Sequence, residues 1–240
     1  MRLSVIIPAY NEEKRLPGTL KAIDSYMKKQ SYEYEIFVVN GGSKDNTGNV
    51  VKEHQGSIRN LKLLETENRG KGYAVKQGML ASYGDIRLFC DADNSTSIDQ
   101  VEKMFPLFDQ GYGVVIGSRD VKGAVLNPPQ PWFRNLVTAE SFKLLRKIIV
   151  GLWDIEDSQC GFKAFSGKAT EDVFTRSRVE RFAFDPEVLY LARKFGYKIK
   201  EIPVTWVNDI HSKVGMMSMV NMGIDLFRIR LHIWQGIYSL

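Results

Sequence analysis

Short apolar runs alternate with longer amphipathic segments along the first half of the chain. Runs that are apolar throughout are typical of strands buried on both faces of a parallel sheet, and apolar residues spaced three or four apart indicate helices. The predicted strands are 3–8, 35–40, 61–65, 86–91 and 114–118, and the predicted helices between them are 12–29, 46–54, 72–83 and 97–108. The pattern predicts an α/β fold with a mostly parallel sheet and helices on both faces. In such folds ligands bind beyond the carboxyl ends of the strands.

The second half of the chain begins at a proline-rich break at 127–131. A long amphipathic segment follows at 135–153, then a helix near 186–195, a strand at 198–207 and a last helix at 220–238. No internal repeat or low-complexity tract is present, so we predict a single domain over residues 1–240. The segments 135–153 and 220–238 mix apolar and basic residues as membrane-interfacial helices do, although the same faces could instead pack on the sheet or on each other.

The composition is that of an ordinary globular protein, with 44% hydrophobic and 25% charged residues, which argues against intrinsic disorder. Lys and Arg outnumber Asp and Glu by 33 to 28, and the net charge of +5 suits a phosphate-bearing substrate, an anionic membrane surface or RNA. The sequence has no dense basic stripe and no aromatic RNA-binding pattern, so we do not expect nucleic acid as a partner. The two cysteines have no CxxC companion, which argues against a zinc site and favours a reducing compartment.

The sequence contains no membrane span or signal peptide that we can identify. No run of about 18 apolar residues occurs, and the chain passes directly into its first strand. We therefore expect a cytoplasmic protein that reaches any lipid partner from the membrane surface.

The first predicted strand ends in Pro8 and Ala9 and is followed by Tyr10, Asn11 and Glu12. A dinucleotide-binding protein would carry GxGxxG here, and its absence argues against such a cofactor. Tyr10 could lie against a single base, and Glu12 could accept a hydrogen bond from ribose or base. The alternative is that Asn11 caps the following helix and Glu12 favours its N-terminus.

Two further loops contain glycines next to polar or basic residues. The second strand ends at Asn40 before a glycine pair, and Lys71 lies between two glycines after the third strand. Glycine lets the backbone approach a ligand closely, and Lys71 or Arg69 could meet a phosphate. A plain helix cap and a solvated basic turn explain these loops about equally well.

The strongest chemical signal is the pair Asp91 and Asp93, which surrounds Ala92 after a buried strand. Two carboxylates so close together are costly unless a cation lies between them, and Mg²⁺ or Mn²⁺ held with two substrate phosphates would meet that need. Helix capping is the alternative. However, Ser97 and Gln100 already have the spacing of a capping box, which leaves the two aspartates free for a metal.

Three basic residues are candidates for holding the phosphate of an acceptor. Arg119 follows the fifth strand, Arg134 opens the long amphipathic segment, and Lys213 follows a serine near the end of the chain. Arginine binds phosphate through a planar fork of donors. The alternative for each residue is an ion pair with a surface carboxylate.

At this point the order of motifs resembles family 2 glycosyltransferases with the GT-A fold. The motifs that carry this resemblance are 8–12, 42–47, 70–72, 91–93 and 117–119. The segments 157–163 and 179–185, with Trp206 and Lys213, are similar to the branch that uses polyprenyl-phosphate acceptors, the dolichyl-phosphate β-glucosyltransferases among them. The resemblance covers nearly the whole chain. It implies a Rossmann-like nucleotide-sugar-binding half at 1–125 and an acceptor-binding half at 126–240.

The resemblance also implies roles for individual residues. The nucleotide sugar would be bound by Pro8, Ala9, Tyr10, Glu12, Asn40, Lys71, Asp91 and Ala92. The metal, Mg²⁺ or Mn²⁺, would be held by Asp93 with Asp91 and Gln159. The catalytic residues would be Asp91, Asp93, Asp157 and Gln159, and Arg119, Arg134 and Lys213 would hold the acceptor phosphate. Asp157 and Asp185 could each be a base, a metal partner or a cap, and Asp157 is the stronger candidate for a catalytic role.

The expected reaction is inverting transfer of a sugar, glucose from UDP-glucose, to dolichyl or polyprenyl phosphate on the cytoplasmic face of a membrane. The chain departs from the family at Asn40 and Gly41, where two aspartates are usual, and this leaves the base of the donor open. The alternatives are a GDP-mannose-dependent polyprenyl-phosphate mannosyltransferase and, more remotely, a non-catalytic nucleotide-sugar-binding or RNA-binding protein.

Overall fold

The computed structural model describes residues 2–127, 140–207 and 216–239. Within those ranges the strands are β1 Arg2–Ala9, β2 Glu33–Asn40, β3 Leu61–Glu65, β4 Ile86–Cys90, β5 Val114–Ser118, β6 Val125–Asn127, β7 Phe162–Ser166, β8 Ile199–Pro203 and β9 Thr205–Val207. The helices are α1 Leu16–Met27, α2 Thr47–Gln55, α3 Lys71–Ala81, α4 Phe105–Asp109, α5 Glu140–Val150, α6 Gly167–Arg176, α7 Phe184–Lys194 and α8 Met216–Trp234, with a 3₁₀ helix at Ile98–Lys103.

The described part of the chain builds one large, mostly parallel sheet with the strand order β3-β2-β1-β4-β7-β5-β8. The pairs β1–β2, β1–β4, β2–β3 and β5–β8 are parallel. Strand β7 runs antiparallel to both of its neighbours, β4 and β5. A small second sheet pairs β6 with β9 in parallel.

Helices cover both faces of the large sheet, and the side chains of its strands alternate between two cores. On β1, Ile6 faces a core shared with α3, α6, α7 and α8, whereas Val5 and Ile7 face a core shared with α1 and α2. Strands packed on both faces are apolar throughout, which explains the uninterrupted apolar runs of the sequence. The predicted α/β class with helices on both faces of a mostly parallel sheet is confirmed.

The carboxyl ends of β1, β2, β3, β4 and β5 lie along one edge of the sheet because these strands run in the same direction. Strand β7 runs the other way, so its amino end reaches that same edge. The residues before β7 therefore join the loops that follow the parallel strands. We refer to this edge as the carboxyl edge.

Several predicted elements have different bounds. The predicted helix 97–108 is divided into the 3₁₀ helix and α4, which has Pro106 in its first turn; proline lacks the N–H that a continuous helix requires. The predicted strand 198–207 is two strands, β8 and β9, in different sheets. The predicted first helix begins only at Leu16. Strands β6 and β7 and helix α6 were not predicted, and the start of the predicted segment 135–153 lies outside the described residues.

In the described ranges, no helix has both the length and the apolar character needed to cross a membrane.

Candidate active site

Asp91 and Asp93, which we call the acidic pair, lie at the carboxyl edge directly after β4. A lysine at the start of α3 contacts this pair. Lys71 Nζ donates to Asp91 Oδ1 at 2.5 Å. The second aspartate has a local contact as well, because Asp93 Oδ1 accepts the backbone N–H of Ser95 at 3.0 Å. Both carboxylates remain partly exposed, so each can present an oxygen to a ligand from the open side of the edge.

Gly161, the residue before β7, forms the wall behind Asp91. Its carbonyl accepts the backbone N–H of Asp91 at 3.1 Å. A Cβ built on Gly161 would lie 1.9 Å from Asp91 Oδ2 and 2.6 Å from Oδ1. The carboxylate of Asp91 therefore occupies the space that any other side chain at 161 would need, and the absence of that side chain allows Asp91 to lie there.

The loop that contains Lys71 packs tightly against the segment 179–184. A Cβ on Gly70 would lie 2.5 Å from the carbonyl oxygen of Glu180, and a Cβ on Gly72 would lie 2.6 Å from the Cβ of Phe184. The backbone N–H of Tyr73 donates to the carbonyl of Glu180 at 2.9 Å. These two glycines thus allow the start of α3 to pack closely against the segment 179–184 of the same chain. This packing positions Lys71.

The charges of the site act on one another strongly. Burial raises the pKa of Asp93, and the neighbouring negative charge of Asp91 raises it further. Burial alone would lower the pKa of Lys71, but the carboxylates of Asp91, Asp185 and Asp93 outweigh burial and raise it. Lys71 is therefore held as a cation, and the acidic pair retains repulsion that a further positive charge would relieve.

The acidic pair fits a divalent cation of the Mg²⁺ or Mn²⁺ type. Such ions prefer oxygen ligands, and Mg²⁺ is commonly bound by one or two carboxylates with the remaining positions filled by substrate phosphates and water. Asp91 and Asp93 supply that number of carboxylates. No cluster of three or more His, Cys, Asp or Glu side chains suited to a metal occurs in the ranges that the structure describes, so a substrate would have to complete the coordination.

The loops after β1 and β2 interlock at the carboxyl edge. Asn11 has a φ of 54°, and its Oδ1 accepts the backbone N–H of Lys44 at 2.8 Å. Asn11 does not cap α1, whose preceding residue is Arg15. Glu12 is nearly buried and forms a two-pronged ion pair with Arg15, while Tyr10 is exposed beside it.

Asn40, at the end of β2, is buried, and both the nitrogen and the oxygen of its side-chain amide form hydrogen bonds. Its Nδ2 donates to Glu65 Oε2 at 2.7 Å, and its Oδ1 accepts the backbone N–H of Ser43 at 3.2 Å. An aspartate at position 40 would place its charge against the carboxylate of Glu65, whereas asparagine can donate to it. Asparagine therefore suits a position beside Glu65, which was not among the predicted site residues.

The remaining nucleotide candidates lie at the same edge. Pro8 and Ala9 are the last residues of β1, and the backbone N–H of Gly41 donates to the carbonyl of Ala9 at 2.9 Å. Ala92 is buried, and its carbonyl accepts a hydrogen bond from the hydroxyl of Thr19 at 2.7 Å. The backbone groups of Ala9 and Ala92 thus help to form the carboxyl edge.

Arg119 and Asp157, for which separate roles were predicted, form one ion pair, in which Asp157 is buried and Arg119 is partly exposed. Arg119 Nε donates to Asp157 Oδ2 at 2.7 Å and Nη2 donates to Oδ1 at 3.0 Å. Asp157 also accepts the backbone N–H groups of Arg119, Gln159 and Cys160. Burial would raise the pKa of Asp157, but Arg119 outweighs it and holds that pKa far below its usual range. Arg119 further lies over the ring of Trp206, with 5.5 Å from its guanidinium carbon to the ring centroid.

Gln159 lies two residues before Gly161, in the loop that enters the carboxyl edge, and is partly exposed. Arg134 and Lys213 lie outside the described residues. The structure therefore brings Asp91, Asp93, Lys71 and the loop of Gln159 together.

One part of the sequence argument about the acidic pair is wrong. Ser97 and Gln100 do not form a capping box: Ser97 makes no side-chain cap, and Gln100 instead exchanges hydrogen bonds with the backbone of Thr205. Asp93 does have a local structural contact, with Ser95. The case for a metal thus rests on the geometry and charge of the pair.

Comparison with known proteins identifies the family of this chain. The family model of glycosyl transferase family 2 matches residues 4–174. A dolichyl-phosphate β-glucosyltransferase of Trichomonas vaginalis is 36% identical over 97% of this chain and 75% of its own length, and that of Homo sapiens is 36% identical over 100% and 78%.

Solved structures show the same fold at low sequence identity. Mannosyl-3-phosphoglycerate synthase from Rubrobacter xylanophilus matches with a TM-score of 0.70 and 16% identity, covering 99% of this chain and 76% of that one. Glucosyl-3-phosphoglycerate synthase from Mycobacterium tuberculosis, solved with Mn²⁺, UDP and glucosyl-3-phosphoglycerate, matches with a TM-score of 0.66 and 17% identity, covering 95% and 78%. The chain therefore belongs to glycosyl transferase family 2 and is a glycosyltransferase with the GT-A fold.

Proposed function

We propose that this glycosyltransferase moves glucose from UDP-glucose to dolichyl phosphate or a related polyprenyl phosphate, with Mg²⁺ or Mn²⁺, at the surface of a membrane. The observation that carries the chemistry is the acidic pair Asp91 and Asp93 beside the cationic Lys71 at the carboxyl edge. The choice of sugar and acceptor rests on relatives that align along nearly the whole chain.

The donor would lie along the carboxyl edge, with its base towards the loops of Tyr10 and Asn40 and its diphosphate towards the acidic pair. Asp91 and Asp93 would hold the cation, with Gln159 beside them. When bound, the cation would stabilise negative charge on the leaving diphosphate. Lys71 supplies a fixed positive charge at the same place, and such charge, present before the reaction begins, is effective in a partly buried site.

The acceptor requires little help from a base. A phosphate monoester has a second pKa of about 6 and is largely ionised at neutral pH, so its oxygen is already a nucleophile. Asp157, whose pKa is held far below its usual range by Arg119, is poorly suited to take a proton. We propose instead that Asp157 orients Arg119 as an acceptor-phosphate ligand, together with Arg134 and Lys213. A single in-line displacement then inverts the anomeric carbon.

The membrane surface is proposed to meet the outer face of α8. Residues 220, 224, 227, 231 and 234 are apolar, are spaced three or four apart and are exposed, with Phe227 61% and Trp234 75% exposed. The opposite face of α8, which includes Leu226 and Ile229, is fully buried in the core. Arg230 donates to the carbonyl of Ile148 in α5 and lies over the ring of Trp234. Exposed apolar residues flanked by arginine and tryptophan are typical of interfacial helices.

Transfer of labelled sugar tests the reaction. The purified protein is incubated with a short polyprenyl phosphate and labelled UDP-glucose or GDP-mannose, with and without Mn²⁺ or Mg²⁺. We expect metal-dependent transfer from UDP-glucose, and transfer from GDP-mannose alone would support the mannosyltransferase alternative. Asp93→Ala should abolish transfer without loss of the fold. Asp99→Ala, which removes an exposed carboxylate six residues later, is the matched control and should retain activity. Full activity of Asp93→Ala would refute the proposal.

Flotation with anionic vesicles tests the membrane surface. Phe227→Glu places a charge among the exposed apolar residues on the outer face of α8. This variant should therefore reduce the fraction of protein that floats. Tyr83→Glu is the matched control, because Tyr83 is 70% exposed but lies outside α8, in the loop between α3 and β4. Equal flotation of the two variants and the unaltered protein would contradict this part of the proposal.

A further inference from the structure

A lysine and an aspartate are buried beneath the acidic pair. Lys163 lies in the middle of β7 and is fully buried, and its Nζ donates to Asp185 Oδ1 at 2.5 Å. The same ammonium donates to the carbonyl of Cys160 at 2.5 Å and lies 5.3 Å from the ring centroid of Phe89. Asp185, in the first turn of α7, is buried as well.

A buried ion pair of this kind is weak evidence for stability. Removing two charges from water is expensive, and well-packed apolar residues of similar volume are often as stable or more stable in the same place. Lys163 interrupts a strand whose other central residues, Phe162, Ala164 and Phe165, are all apolar and buried. The position of the pair in the fold therefore calls for a role other than packing.

The contacts of Lys163 lead directly to Asp91. Its bond to the carbonyl of Cys160 fixes the backbone just before Gly161. Gly161 in turn accepts the N–H of Asp91 and leaves the space that the Asp91 carboxylate occupies. A shift of the Cys160–Gly161 backbone would thus move the wall against which that carboxylate rests.

The partner of Lys163 leads to Lys71. The negative charge of Asp185 acts on Lys71 through space, and Phe184, the residue before it, packs against Gly72. Four charges therefore alternate in sign from the edge inwards: Asp91, Lys71, Asp185 and Lys163. The two outer members belong to the proposed donor site, and the two inner members are buried.

We propose that Lys163 and Asp185 form a positioning pair that holds Asp91 and Lys71 in the geometry needed to bind the diphosphate of the donor. This inference rests on the proposed function for the identity of the donor, but its geometric part concerns only this chain. Partners of metal-binding and substrate-binding side chains commonly have such effects, and their loss costs about 10- to 100-fold in affinity or activity.

The decisive variant is Lys163→Met combined with Asp185→Leu, which replaces both charges by apolar residues of similar volume. Because neither charge is left unpaired, the denaturation midpoint should stay close to that of the unaltered protein. The affinity for UDP in the presence of Mn²⁺, measured by titration calorimetry, should fall about 10- to 100-fold. A role in stability alone predicts UDP affinity equal to that of the unaltered protein, and that result would overturn the proposal.

A milder variant and a control variant distinguish a loss of positioning from a general loss of stability. Asp185→Asn removes the charge but keeps an oxygen for Lys163, and it should weaken UDP binding about tenfold; unchanged binding would overturn the proposal. Glu35→Gln alters another buried carboxylate of the same sheet, bonded to the hydroxyl of Ser4 and remote from the carboxyl edge. This control should leave UDP binding unchanged, and an equal loss there would also overturn the proposal.

A crystal structure of the double variant separates this inference from the proposed function. It should show Asp91 displaced from Lys71 and from the N–H contact with Gly161, whichever nucleotide the protein binds. If Asp91 keeps both contacts, the positioning role is refuted. If the unaltered protein binds no UDP while Asp91 is displaced in the variant, the proposed donor is wrong and the positioning role stands.

Discussion

Replacement of Gly161 by alanine is expected to disable the enzyme while leaving most of its stability intact. The backbone of Gly161 lies outside the left-handed region, so alanine can adopt its conformation without strain. The perturbation is therefore the added methyl group alone, placed 1.9 Å from Oδ2 and 2.3 Å from Cγ of Asp91. Nothing that close is tolerated, and Asp91 is the group that can move because it is partly exposed.

The size of the effect follows from the distance. Relief of the overlap requires the carboxylate to move by roughly 1 Å, and a misplacement of that size in a catalytic site costs about 10²-fold. The same movement breaks the 2.5 Å contact with Lys71. A hydrogen bond to a charged group contributes about 1.5–3 kcal/mol, which again corresponds to about 10- to 100-fold. We therefore expect kcat/KM to fall about 100-fold, whereas overpacking should lower the free energy of unfolding by about 1–3 kcal/mol.

The assay is the transfer of labelled glucose at several donor concentrations, with urea unfolding measured on the same preparations. Gly18→Ala is the matched control, because a Cβ at Gly18 meets no atom within 4 Å and the position lies in α1. That variant should keep its activity. Activity of Gly161→Ala within about threefold of the unaltered protein would mean that Asp91 can move by roughly 1 Å without loss, and the argument for its exact placement would fail.

Three further outcomes are expected. Asp157→Asn leaves the partly exposed Arg119 without its charge partner and should lower the free energy of unfolding by about 1.5–3 kcal/mol, the contribution of hydrogen bonds to a charged group; a loss below about 0.5 kcal/mol in urea unfolding would contradict this. Burial opposes ionisation of Glu35, but its hydrogen bonds and Lys62 outweigh burial and lower its pKa, so it stabilises the fold above its unfolded pKa of about 4.3. The stability difference between the unaltered protein and Glu35→Gln should therefore shrink as the pH falls through the folded pKa, and a difference that grows would refute this sign. Chelation with EDTA should weaken UDP binding and added Mn²⁺ should restore it, with no restoration in Asp93→Ala; binding indifferent to EDTA would count against the metal.

The strand pattern was sufficient to predict where the site lies. Each of β1, β2, β4 and β5 ends within one residue of its predicted end, and parallel strands place their carboxyl ends along one edge. The polar residues after those strands therefore had to meet, whatever their individual roles. This inference needs only the direction of the chain, which the alternation of strands and helices supplies.

The roles of the glycines were harder to predict. A glycine in a sequence indicates that space is needed at its position, but it does not indicate which group fills that space. At Gly70 and Gly72 the space is filled by the segment 179–184, more than a hundred residues later in the chain. The sequence argument left open whether this freedom serves a ligand or belongs to a solvated basic turn. At Gly161 the space is filled by Asp91, a contact that depends on the packing of β7 against β4.

The reversal of β7 explains how the loop of Asp157 and Gln159, which only the family resemblance had assigned to the site, reaches the carboxyl edge. A strand that follows the parallel series is expected to run in the same direction, which would place the loop of Asp157 and Gln159 at the far edge of the sheet, away from Asp91. Because β7 is inserted antiparallel between β4 and β5, that loop comes to the carboxyl edge, and Lys163 comes to lie directly beneath it. A buried lysine in an otherwise apolar strand was the available signal: its charge required a partner, and its own strand offers no carboxylate. The partner, Asp185, is 22 residues away, so only the fold could show that this pair supports the acidic site from within.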